Sequence, residues 1–213
     1  MGVVERRARH KDALRQEILN AARQLFAQNG YDAVSMRQIA DTVEYSVATI
    51  YLHFKDKREL YTCLCREAIG ELRDLLEPIL QGDRSPLERL ERGLRAYIDF
   101  GLENPKEYRV AFVLEGPNTQ SDDTLVEGTA ARQVYTGLVA LVREGIEKGE
   151  VKAGDPEVRA QTIWAGVHGL TSLLIMDPGF PWKQREALTD SMIRTLIGGL
   201  QATVCETREE RDG

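Results

Sequence analysis

The sequence predicts an all-α protein of nine helices, on three observations. Apolar residues recur at three- and four-residue steps, as in Leu60, Leu64, Ala68, Leu72, Leu75, Leu76 and Ile79, a spacing that gathers them on one face of a helix. Successive stretches open on a short polar residue, often with Pro next and Glu or Gln where a capping box needs it. Hairpin dipeptides flanked by alternating apolar runs do not occur.

The elements follow in order. A first helix over 11–28 ends at Asn29-Gly30, where Gly accepts the left-handed backbone that terminates a helix. Ser35 with Gln38 opens a helix over 36–42, and Ser46 caps another over 47–53. Asp56 with Glu59 starts a long helix over 57–80, which Pro78 should bend or stop near its end. Ser85-Pro86 with Glu88 begins 86–103, and Asn104-Pro105 with Glu107 begins 105–114. Asp122 and Asp123 read as the solvated start of 122–148. Asp155-Pro156 opens 156–176, and Phe180-Pro181 precedes 182–205. The natural division is 1–55 and 56–213.

Charge divides the same way. The chain carries a net charge of −6, but residues 1–60 hold ten Lys or Arg against eight Asp or Glu, leaving an acidic remainder. Any contact with nucleic acid therefore rests on local charge. The composition, 42% hydrophobic and 29% charged, excludes a disulfide miniprotein and a wholly disordered chain. Cys63, Cys65 and Cys205 are an odd count without redox or zinc spacing, which suits a reducing cytoplasm. No apolar run is long enough to span a membrane, so a cytoplasmic location with no membrane partner is expected.

Residues 35–55 carry the most specific signal. Two very short helices flank a four-residue turn, Val43 to Ser46, and so few turns cannot repay helix nucleation alone. Ile39, Ala40, Val43, Ile50 and Phe54 must pack on Leu14, Ile18, Ala21, Ala22, Leu25 and Phe26 of the first helix. This is the helix-turn-helix plan, whose second helix enters the major groove. From Ile18-Leu-Asn-Ala-Ala-Arg-Gln-Leu-Phe26 through Asn29-Gly30-Tyr31, Ile39-Ala40, Ser46, Thr49-Ile50-Tyr51, His53-Phe54-Lys55 and Lys57 to Leu60, the chain resembles the TetR/AcrR family of bacterial transcriptional regulators. The resemblance implies a homodimer with a three-helix DNA-binding head and a six-helix effector-binding and dimerisation body, acting as a repressor that a small molecule releases from a palindromic double-stranded operator. It further implies that Val47, Ala48 and Tyr51 face bases, that Arg37 reaches bases or backbone, and that Ser35, Thr49, His53, Lys55 and Lys57 lie near phosphates, with Ser46 at the helix start.

Two features depart from that pattern. Glu44 stands at the turn position where the family usually has Gly, so the turn should be strained or differently shaped. Val47 and Ala48 cannot hydrogen-bond a base edge, which leaves contact with thymine methyl groups. The Arg-rich stretch with Arg6, Arg7, Arg9, Lys11 and Arg15 could follow phosphates, enter a minor groove, or be a solvated tail.

In the body, Tyr97 to Tyr108 and Trp164-Ala-Gly-Val-His168-Gly169 resemble a TetR subgroup named for its Trp, His and Gly. Tyr97, Phe100, Tyr108, Phe112, Trp164 and His168 are candidate effector contacts, since rings with polar tips can line an apolar pocket; the same residues equally suit core or interface packing. The helices near 156–176 and 182–205 are the expected dimer elements, with Ala165, Gly166, Gly169, Gly198 and Gly199 permitting close approach, although pairing within one chain would use them too. No nucleophile elbow, phosphate loop, dinucleotide fingerprint or His-Glu metal motif occurs, so no enzyme activity, cofactor or metal is expected. The competing reading is a helical small-molecule-binding or adaptor protein that does not bind DNA.

Overall fold

A computed structural model describes residues 3–114, 116 and 128–202. Among these, nine α-helices and one π-helical turn account for the regular structure, apart from a single antiparallel bridge between Val151 and Gln201. The helices are α1 (Val3–Asn29), α2 (Met36–Thr42), α3 (Val47–Tyr51), α4 (Lys57–Leu80), α5 (Pro86–Glu103), α6 (Pro105–Tyr108), α7 (Ala130–Glu147), α8 (Pro156–Met176) and α9 (Arg185–Leu200), with the π turn at Arg109–Val113.

Most starts follow the capping chemistry of the sequence. Ser35 and Gln38 form a reciprocal capping box, as do Ser85 and Glu88. Ser46, Asp56 and Asp155 each accept a backbone N–H of their helix. Gly30 has φ +81° and its N–H meets the Phe26 carbonyl at 2.8 Å, closing α1. Asn104 provides no side-chain cap to α6.

Five helices differ from the sequence expectation at one end or both. Helix α1 begins at Val3 rather than near residue 11, because residues 3–29 contain no Gly or Pro to interrupt a run of good helix formers. Helix α3 ends at Tyr51, with Leu52 as its cap. The expected 105–114 helix widens after Tyr108, where Leu114 N–H bonds the Arg109 carbonyl five residues back. Helix α7 starts at Ala130 under a Thr129 cap, and the Asp122-Asp123 start lies outside the described residues. Helix α9 begins only after Pro181 and the Phe180–Trp182 ring contact, and it ends at Leu200. There Leu200 O accepts Lys152 N–H and Ala202 N–H bonds Glu150 O, drawing the chain onto the α7–α8 loop. Pro78 is accommodated inside α4, two residues before its end.

Two apolar cores result. One joins Leu14, Ile18, Ala22, Phe26, Ile39, Ala40, Ile50 and Phe54 with Leu60, Tyr61 and Leu64 at the start of α4. The other joins Leu72 and Leu76, further along α4, with α5, α7, α8 and α9. A single 24-residue helix therefore enters both. Within its expected apolar stripe, Leu75 instead faces outward.

Candidate nucleic-acid interface and effector cavity

The head presents α2 and α3 on a rigid base. Ile50 is fully buried and Val47 is half-buried against the head core, whereas Ala48, Tyr51 and Leu52 face out, with Tyr51 51% and Leu52 78% exposed. Those three positions stand at i, i+3 and i+4, one face of the helix. Arg37 on α2 and Lys55 after α3 are exposed beside them.

Several of the polar residues expected at DNA are also engaged within the head. The Ser35 hydroxyl accepts the Gln38 N–H at 3.2 Å, and Ser46 Oγ accepts the Thr49 N–H at 3.1 Å and lies 2.8 Å from Thr49 Oγ1. Lys57 Nζ donates to the Tyr31 and Val34 carbonyls at 2.9 and 2.8 Å and sits 4.1 Å over the Tyr31 ring. His53 is half-buried, and its Nδ1 has no hydrogen-bond partner among the described residues. Burial, reinforced by Lys11 and Arg15, lowers its pKa. Arg15 folds back onto the head, bonding the His53 carbonyl at 3.3 Å and lying 4.3 Å over Phe54. Arg6, Arg9 and Lys11 are exposed along the helical extension of α1.

The turn between α2 and α3 contains a strained residue. Glu44 adopts φ +59°, a left-handed conformation that costs an L-residue roughly 1–2 kcal/mol. The resemblance to a family that usually has Gly at this position implies a strained or differently shaped turn, since glycine would adopt the same geometry freely.

In the body, a cavity of about 1530 Å³ runs beside α4, larger than the roughly 300–1,000 Å³ of ordinary ligand pockets. Its lining combines Leu76, Leu80, Leu90, Leu94 and Leu138 with Tyr97, Phe112, Trp164 and His168 and with Arg58, Arg66, Arg73, Arg132 and Glu157, Arg73 being paired with Asp74. Four of the six sequence-predicted effector residues therefore meet there. Tyr108 stands behind them, its hydroxyl 2.7 Å from His168 Nδ1 and 3.0 Å from the Tyr97 hydroxyl, while Phe100 is buried in the surrounding core.

The protonation pattern of this cluster follows from burial. Burial raises the pKa of both phenols, further supported at Tyr108 by Tyr97, and burial lowers that of His168. The imidazole is thus neutral near pH 7. An arrangement that satisfies every hydrogen has Tyr108 donating to Nδ1 and Tyr97 donating to Tyr108, with the His168 proton on Nε2 toward Ser172 at 3.4 Å.

Sequence reasoning missed Tyr61, Cys65 and the arginines of this cavity. Arg58, Thr62, Arg66, Ile69 and Arg73 form one helical stripe on α4, but in sequence a mostly polar stripe reads as a solvated face. Tyr61 is buried, its hydroxyl donating to the Val110 carbonyl at 2.7 Å while its ring meets Phe26 and Tyr31 edge-on. It therefore touches the cavity, the π turn and the head core at once. The Cys65 thiol, also toward Val110, is pushed up to about 12 by burial.

Comparison with known proteins agrees with this architecture. Residues 18–62 match the bacterial regulatory proteins of the tetR family, and residues 90–196 match the tetracyclin repressor-like C-terminal domain. The chain is 29% identical over 157 residues to the HTH-type transcriptional activator FasR of Mycolicibacterium smegmatis, covering 74% of this chain and 68% of the relative. It is 24% identical over 190 residues to the fatty acid metabolism regulator protein of Bacillus subtilis, covering 86% and 94%. A solved structure of a tetR-family regulatory protein from Rhodococcus RHA1 superposes with a TM-score of 0.73 at 18% identity, covering 89% of this chain and 97% of that one. Regulators of this kind bind operator DNA and dimerise, and the described helices include none long and apolar enough to cross a membrane. The chain belongs to the TetR family and is a DNA-binding transcriptional regulator rather than an enzyme.

Proposed function

We propose that the protein is a cytoplasmic homodimeric repressor, released from a palindromic operator when a long-chain acyl compound fills the body cavity. The observation that carries this reading is the cavity itself, whose lining joins leucines, the Tyr97 and His168 side chains that Tyr108 holds, and several arginines. An extended apolar chain with an acidic end suits that distribution, because apolar burial supplies affinity and a few polar groups fix orientation. Along α4, Arg66 and Leu80 are separated by about 21 Å of helix rise, room for a long chain. The name of the Bacillus subtilis relative, a fatty acid metabolism regulator protein, supports the same class.

In this reading residues 1–55 bind DNA and 56–213 sense and dimerise. Ser35, Arg37, Ser46, Val47, Ala48, Thr49, Tyr51, His53, Lys55 and Lys57 form or support the DNA surface; Tyr97, Phe100, Tyr108, Phe112, Trp164 and His168 form or support the effector site. Helices α8 and α9 pair two copies. Val158, Leu173 and Met176 stand exposed on α8, and a Cβ at Gly169, Gly198 or Gly199 would meet nothing within 4 Å, leaving room for a second chain. Two heads then span half-sites roughly 34–36 Å apart. Because α4 borders the cavity and enters the head core, an effector that prefers a splayed arrangement of α4 shifts the dimer away from DNA.

The test is calorimetric titration of the dimer with fatty acids and acyl thioesters of increasing chain length, paired with operator gel shifts. Affinity should rise with chain length and operator occupancy should fall in parallel. Tight binding that leaves operator affinity unchanged would refute the release mechanism.

A further inference from the structure

We propose that the recognition helix reads its operator through the 5-methyl groups of pyrimidines, with Leu52 and Ala48 as specificity-determining residues and Tyr51 between them. This rests on the protein being a DNA reader and specifies what it reads. Thymine displays a methyl in the major groove at the edge where cytosine has only hydrogen, and an apolar side chain distinguishes the two by contact alone.

The geometry favours methyls over hydrogen-bonded base edges. Ala48 and Tyr51 of α3 and its cap Leu52 face outward, and Leu52 is the most exposed large apolar side chain among the described residues at 78%. With Tyr51, 51% exposed at the preceding position, it makes an outward apolar surface rather than a single exposed residue. Ile50 is fully buried and Val47 packs partly against the head core. The helix's hydroxyls are used in its own cap, where Ser46 Oγ takes the Thr49 N–H and pairs with Thr49 Oγ1. On this face Tyr51 offers the polar tip, and the head also exposes Arg37 and Lys55, cations suited to phosphates or a guanine edge. The surface thus offers base edges an apolar patch with one polar tip, which suits a methyl-rich groove floor.

The experiment uses the full-length dimer to select duplexes from a random library, then resynthesises the enriched sequence with uracil replacing thymine one position at a time. Uracil lacks only the methyl. Binding should weaken about fourfold for each methyl removed from contact, and 5-methylcytosine at the same positions should bind more tightly than cytosine by a similar factor. Leu52→Ala should move the thymine-to-uracil ratio toward one, whereas Arg37→Ala should weaken both duplexes alike and preserve the ratio. Leu52 is exposed, so unchanged amide hydrogen-exchange protection of α1, α2 and α3 in Leu52→Ala confirms that the head of the variant is folded. If an enriched sequence tolerates uracil at every position, methyl reading is overturned while DNA reading stands. If no sequence is enriched, both fall.

Discussion

The two cores of this protein differ in how completely they are filled, and the difference matches their tasks. In the head, Ile18, Ala22, Phe26, Ile39, Ala40, Ile50 and Phe54 close on one another with little or no exposure, so α2 and α3, too short to persist alone, hold a fixed surface. In the body, Leu72, Leu76, Leu90 and Leu94 belong to the core and yet border a cavity of about 1530 Å³. Apolar side chains that border an open cavity keep surface not covered by protein, and a ligand that covers it is bound by the same effect that built the core. Reading DNA requires preorganisation; sensing requires unfilled space. Helix α4 belongs to both regions and is where one task can alter the other.

The strongest way to break this comparison is to open the head core. Phe26→Ala removes a fully buried ring that touches Tyr31 and Tyr61 and should cost about 3–5 kcal/mol. Operator binding should be lost, and amide hydrogen exchange should show α1, α2 and α3 unprotected while α5, α7 and α8 keep their protection. Equal loss in both regions would mean that the cores are not separable. The complementary change fills the body: Leu138→Trp, on the cavity wall, should weaken fatty acid binding by about tenfold or more, roughly 1.4 kcal/mol, with operator affinity in the absence of ligand unchanged. Titration calorimetry and gel shifts on the same preparation separate these outcomes.

Legibility in the sequence follows the same divide. The head is readable because its constraints are local: Ser35 with Gln38, Ser46 before a short helix, Gly30 after a long one, and apolar positions at helical spacing all act within a few residues of themselves. The strain at Glu44 was legible only through the family resemblance, which puts Gly at that turn position. The cavity was legible only in part. Tyr97, Phe112, Trp164 and His168 stand out as aromatic or ionisable residues in apolar surroundings, but whether a leucine meets another leucine or an empty space depends on helices far apart in sequence. Leu80 illustrates this, lying between Gly93 of α5 and Gly137 of α7. The π turn was invisible for a related reason: the Val110 carbonyl accepts the hydroxyl of Tyr61, 49 residues earlier, and no local pattern records that partner.

That bond offers a finer test of the connection between the regions. Tyr61→Phe keeps the ring among Phe26 and Tyr31 but removes the donor to Val110. The expected loss is about 1 kcal/mol, measured by denaturant unfolding. The more telling readout is the effector concentration that releases operator. If Tyr61 transmits the state of the π turn to the head, the midpoint moves by more than the change in effector affinity measured without DNA; if the hydroxyl only adds stability, the two shifts agree.

The smallest effect comes from pH, and it distinguishes the regions by which histidine is neutral. Burial lowers the pKa of His168, and burial together with Lys11 and Arg15 lowers that of His53. The unfolded chain takes up these protons near the ordinary pKa of about 6.5, whereas the folded chain resists them until lower pH. Proton binding therefore favours the unfolded state as pH falls through about 6.5. Each histidine's contribution to stability is fully present above that point, declines toward its folded pKa, and stays constant below it. The thermal midpoint should fall between pH 7.5 and 5.5, a window above the titration of Glu144, whose carboxylate Arg89 and Lys148 hold below its usual range. His168→Gln should flatten that fall in the body and His53→Gln in the head. Fatty acid binding should weaken over the same window only through His168, since protonating Nδ1 would remove the acceptor that Tyr108 uses beside the cavity. A loss of binding on acidification that persists undiminished in His168→Gln would place the titrating group elsewhere and remove the imidazole from the effector site.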